Sequence, residues 1–182
     1  MNHIANSNLN LGAGLDMNTN TVESVFPKTH YTVECIDKDG NIKWVEDFDN
    51  IVVTAGKDKL LDATFKTGLT TPLWYVGLKD TGTPVVGDIM SSHASWATIA
   101  PYSNGTDPAF TPGTISAGSV NNSASKAVFS INATDDVYGA FLKDNNSKSG
   151  TTGTLYGAGD FTAMRSVASG DTLNVTITLT VT

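Results

Sequence analysis

A chain of 182 residues with net charge -7 is long enough for one domain with a substantial core, and too acidic to neutralise nucleic-acid phosphates. Aliphatic and aromatic residues make up 40% and charged residues 16%; Gly, Ser, Thr and Asn fill much of the rest, which favours strands joined by turns over long helices. Arg165 is the only arginine, and the one cysteine, Cys35, has no partner for an internal disulfide, so the fold does not depend on an oxidising compartment.

Residues 1–27 read as an extended N-terminal arm. The opening "MNHIANSNLNLGAGLDMN" lacks the basic and continuously apolar stretches of a secretory leader, and no run approaches the ~20 apolar residues of a membrane span. Neither export nor a membrane partner is expected. The arm is too polar to fold by itself, and its Ile4, Leu9, Leu11, Leu15 and Val25 are the residues expected to order against a larger assembly.

Residues 28–182 read as a β-sandwich body. From Tyr31 the pattern alternates: Tyr31, Val33 and Cys35 point one way, and after the turn "DKDGN" Ile42, Trp44, Glu46 and Phe48 share a face, giving a hairpin. A short strand over Ile51–Thr54 leads into one helix, in which Leu60, Leu61 and Phe65 are expected to face the core and Lys57, Asp58 and Asp62 the solvent. Further strands are predicted at Leu73–Lys79, Lys126–Ile131, Val137–Leu142, Thr154–Tyr156 and the C-terminal "DTLNVTITLTVT". In this last, Leu173, Val175, Ile177, Leu179 and Val181 alternate with Asn174 and a row of threonines, so one face packs and the other shows hydroxyls to water. The fold class is therefore all-β: an antiparallel sandwich of jelly-roll type with one short helix.

The window "GDIMSSHASWATIAPY", Gly87–Tyr102, holds the residue types of hydrolase and metal sites. A serine nucleophile needs an imidazole in reach and a third group orienting it, whereas Ser92 and His93 are neighbours that point apart on a strand. His3, His30 and His93 are too scattered for a metal site, and "DKDGN" lacks the downstream glutamate of a calcium loop. The three glutamates, Glu23, Glu34 and Glu46, do not pair for glycoside hydrolysis, and "GTTGTLYGAGD" has no accompanying base to hold phosphate. No catalytic residue, metal or cofactor is expected. The window reads instead as a short helical turn capped by Asp88 or Ser91 and aiming Trp96 at the core.

The succession "FDNIVVTAG", "WYVGLKD", "SSHASW", "NNSASKAVFSIN", "YGAFL", "GTLYGAGDF" and "SGDTLNVTITLT" resembles a family of small structural proteins of tailed bacteriophages, over Tyr31 to the end. The chain departs from that family's pattern at Ser95, often glycine there, and at Asp107, often arginine. The resemblance implies a capsid decoration or cement protein, made in the host cytoplasm and carried on the virion head. Its implied partners are the major capsid protein and neighbouring copies of itself, as a dimer or trimer. The alternative is a tail-fibre or receptor-binding module that holds glycans on an aromatic surface of Trp74, Tyr75, Trp96 and Tyr102. A polysaccharide-degrading enzyme ranks third.

Overall fold

The computed structural model describes residues 26–66 and 72–182. In chain order its elements are β1 (Pro27–Ile36), β2 (Ile42–Asp49), β3 (Ile51–Val52), α1 (Thr54–Phe65), β4 (Trp74–Lys79), β5 (Thr98–Ile99), β6 (Ala109–Phe110), β7 (Ser119–Asn121), β8 (Ala127–Ser130), β9 (Asp135–Lys143), β10 (Leu155–Val167) and β11 (Thr172–Val181). Among the described residues no helix is long and apolar enough to cross a membrane. The arm residues Ile4, Leu9, Leu11, Leu15 and Val25 lie outside the described residues.

Two antiparallel sheets pack as a sandwich. The first runs β2-β1-β11, with β7 and β8 both pairing along the far edge of β11; the second runs β3-β10-β9-β4-β5, with β6 also on β4. The first and last long strands, β1 and β11, lie side by side in register from Pro27↔Val181 to Ile36↔Thr172. The chain crosses between sheets at β2 to β3, β6 to β7, β8 to β9 and β10 to β11.

The alternation read from the sequence is what fills the sandwich. Tyr31, Val33 and Cys35 sit opposite Ile177, Val175 and Leu173, and all six are fully buried. They meet Val76, Leu78, Val137, Ala140, Leu142 and Tyr156 of the second sheet. Tyr31 stacks on Phe48 with centroids 5.1 Å apart, and Phe161 closes that end edge-on to Phe48 and Trp44. The outward residues of β11 stay half-exposed, as expected.

Two expectations are revised. β10 runs through the glycines as far as Val167 instead of ending at Tyr156, because Gly157 and Gly159 let Asn50, Ile51 and Phe48 approach where side chains would clash. The helix buries a different face from the one expected. Its only fully buried residue is Gly56, where a Cβ would lie 2.2 Å from the Tyr156 carbonyl oxygen; Leu60, one turn on, is half-buried against the core. At about 100° per residue, Leu61 and Phe65 then point away from the sheet, and they are 57% and 77% exposed.

Candidate functional site

The hydrolase-like window is a lid on the second sheet. Phe141, Leu155 and Ala158 turn their side chains away from the sandwich interior and form a second cluster with Val53, Met90 and Trp96. Trp96 packs on Phe141 at 5.3 Å, with its Nε1–H donating to Asp88 at 2.9 Å. The same carboxylate accepts the Val85 N–H at 2.9 Å, so Asp88 fastens the lid. His93 stacks on Trp96 at 4.0 Å, with Nδ1 2.9 Å from the Trp96 carbonyl oxygen. The expected helical turn is absent: the chain makes turns around an Ile89–Ser92 bridge, because Asp88 spends its carboxylate on Val85 and Trp96 rather than on a cap. Trp96 is nonetheless the core plug the sequence pointed to.

The other motifs are local structure too. The Asp37 carboxylate accepts the backbone N–H groups of Asn41 at 2.8 Å and Asp39 at 2.9 Å, which holds its pKa below the usual carboxylate range and closes the turn at Gly40, φ +86°. Among the described residues no group of three His, Cys, Asp or Glu side chains is arranged to hold a metal ion.

Buried charge is where sequence reasoning missed most. Lys143 is fully buried; its Nζ donates to the Ser147 carbonyl at 2.6 Å and pairs with Asp107 at 2.9 Å. Asp107 also accepts the Tyr102 hydroxyl. Burial pushes the Asp107 carboxyl above its usual range, against the pull of Tyr102 and Lys143, and burial followed by the Asp107 contact drives the Tyr102 phenol up. Lys79, equally buried, pairs with Asp160 and donates to the Gly82 carbonyl at 2.7 Å. Across the sheets, Glu46 of β2 accepts the Thr162 N–H at 3.0 Å and Arg165 Nε at 2.6 Å. Burial works against the Glu46 charge, but Thr162 and Arg165 outweigh it and hold the pKa low. Lys79, Lys143 and Glu46 are enclosed and each meets an opposite charge, as buried charges require, while Asp160 and Arg165 remain 36% exposed and Asp107 Oδ2, among the described residues, has only its ion pair with Lys143 and no hydrogen bond. The one signal in the sequence was a lysine at the end of each of two apolar runs, "WYVGLK" and "YGAFLK".

Two surfaces among the described residues bear on function. The first is the outer face of the first sheet, where Thr32, Glu34, Asp47 and Asp49 stand beside Asn174, Thr176 and Thr178. Thr32 donates to Asp47 at 2.6 Å, and His30 lies 2.9 Å from Asp49 and 3.4 Å from Asp47. The hydrogen bond from Asp49 raises the His30 pKa, opposed by partial desolvation. The second is an apolar groove of about 650 Å³ between α1 and the strand ends, lined by Phe26, Leu60, Leu61, Phe65 and Val181 with Lys57 at its rim.

The four aromatics of the glycan alternative do not share a surface. Trp96 belongs to the lid and is buried against Phe141, Tyr102 is buried against Phe129, and Trp74, half-buried, is edge-on to Tyr156 at 5.3 Å; Tyr75, the next residue, is half-buried. No family model matches the chain, and no curated protein matches it.

Proposed function

We propose that this protein decorates the head shell of a tailed bacteriophage, seating its β-sandwich on the major capsid protein and beside neighbouring copies, with the residues 1–27 arm as an attachment device. The observation that carries this reading is the division of the surface: a broad hydroxyl and carboxylate face on the first sheet, and an exposed apolar groove where the arm joins the body. A cement protein needs both, a soluble face toward water and an apolar surface for its neighbours. The resemblance of the sequence to phage structural proteins supports the same reading. It assigns no catalysis, since the buried carboxylates and lysines are tied to one another. Glycan adhesion needs aromatic rings lying flat to solvent, and the half-buried Trp74 and Tyr75 supply the only partial case among the four candidates.

The test is co-sedimentation of the purified protein with head shells that lack it. Saturable binding at many copies per shell is expected; no binding to shells, with retention on a glycan array, would transfer the protein to the adhesion reading.

A further inference from the structure

We propose that the side chains of Lys143 and Asp107 condense to an intramolecular amide, a cross-link that the folded chain forms within itself. The inference concerns a single copy of the protein and stands apart from the shell-binding reading. Lys143 ends β9 and Asp107 stands two residues before β6, so the bond closes a covalent ring that contains β6, β7, β8 and β9. Both side chains are enclosed, 0% and 1% exposed, with Nζ 2.9 Å from Oδ2. Holding an amine against a carboxyl group makes the reaction unimolecular, and a closed site keeps out the water that would reverse it.

The hydrogen bonds around the pair suit an amide better than an ion pair. An amide made from these groups keeps one N–H, on Nζ, and one oxygen, Oδ1. The partners of both are already in place: the Ser147 carbonyl accepts from Nζ at 2.6 Å, and the Tyr102 hydroxyl donates to Oδ1. What condensation sheds is what the site serves poorly. Oδ2 has no hydrogen bond among the described residues, and the next acceptor for Nζ, the Gly150 carbonyl, is 3.4 Å away. Condensation also removes two buried charges, each costly to desolvate. Lys79 and Asp160 are the comparison within the same fold: the two groups touch, but Asp160 is 36% exposed, and water at its carboxylate keeps that contact an ion pair.

In the step itself the Lys143 ammonium passes one proton to Oδ2, leaving a neutral amine and a neutral acid. Burial favours that state of Asp107 by raising its pKa. The Nζ lone pair then attacks Cγ, and the Tyr102 hydroxyl stabilises the charge that gathers on Oδ1. Lys148 Nζ, 4.6 Å from the centre of the Tyr102 ring, adds positive charge on that side. As the C–N bond is completed the Cγ–Oδ2 bond breaks. Oδ2 leaves as water with the proton it received and a second from Nζ, and the third Nζ proton stays as the amide N–H.

The experiment is intact-mass spectrometry of the purified full chain under denaturing conditions, beside Lys143→Met and Tyr102→Phe. The wild type is expected to be lighter than its sequence by one water. Lys143→Met is expected at its full sequence mass, and Tyr102→Phe to retain a larger uncondensed fraction. Fragmentation of a protease digest is expected to yield one branched peptide joining Asp107 to Lys143. A wild type at its full sequence mass would overturn the proposal, whether or not the variants fold, and leave an ordinary buried ion pair. A lost water that maps elsewhere, to Lys79 and Asp160 or to a cyclised Asp39 before Gly40, would overturn it as well.

Discussion

The two sheets of the sandwich use their outer faces in opposite ways. The second is covered: Phe141, Leu155 and Ala158 on its outer side are sealed by Met90 and Trp96 of the lid and by Val53 at the start of α1. The first is open, its outer side mostly threonines and carboxylates with His30, and with Val45 and Val128 exposed among them. A strand buried on both faces reads as a continuous apolar run, and one buried on a single face alternates; "WYVGLK" and "LNVTITLTV" are those two patterns in one chain. The contrast teaches that chemically suggestive residues are not where function is sought. Asp88, His93 and Trp96 hold down a lid, while the plainer face of threonines is the one displayed.

The contrast can be broken most severely by removing what both sheets share. β11 lies between β1 and the β7–β8 edge and contributes the fully buried Leu173, Val175 and Ile177, each adding about 1.5–3 kcal/mol by burial. Against a typical total of about 5–15 kcal/mol, deleting Asp171 onward is expected to give unfolded, insoluble protein, judged by recovery and circular dichroism. A soluble truncated protein with the original melting transition would mean the core is misassigned. Next, Trp96→Ala opens the lid on the covered sheet and is expected to cost about 3–5 kcal/mol in chemical denaturation. Thr176→Ala on the open sheet is expected to stay within about 0.5 kcal/mol. Equal losses at both positions would erase the distinction between the faces. Glu46→Ala, which strips the partner from Arg165 and the Thr162 N–H between the sheets, is expected to cost about 1–3 kcal/mol.

The smallest expected effect is a pH dependence confined to the open face. The Asp49 hydrogen bond raises the His30 pKa above 6.5, so the protonated ring stabilises the folded state fully below pH 6.5, and the contribution fades as pH rises through the raised value. His30 is half-exposed, so the effect is modest and weakens with salt. The melting difference between wild type and His30→Gln should shrink from pH 5.5 to pH 8, in a range set by the His30 titration. A constant difference would separate the ring from Asp47 and Asp49.

The long alternating strands were legible because burial on one face writes a period of two into the chain. The hairpin of β1 and β2 and the strand β11 follow that rule, although β1 begins earlier than the pattern suggests, its first residues pairing with the end of β11; β9, buried on both faces, reads instead as the apolar run "YGAFL". β5, β6 and β7 span two or three residues each, too short to carry a period. The helix misled for a different reason: Leu61 and Phe65 look like core residues, but Gly56 decides which face reaches the sheet, and what a missing Cβ allows is visible only once Tyr156 is in place. Lys79 and Lys143 were hidden in the same way, since their partners Asp160 and Asp107 lie 81 and 36 positions along the chain and meet them only in the fold.

The most direct test of the account is a cryo-electron microscopy reconstruction of virions carrying the protein. It is expected to show density for the sandwich in many copies over the head, with the Thr32–Thr176 face turned to solvent and the α1 groove turned toward the neighbouring subunits. Density only at the tail, or a head-bound sandwich with its groove open to solvent and the threonine face against the shell, would contradict it.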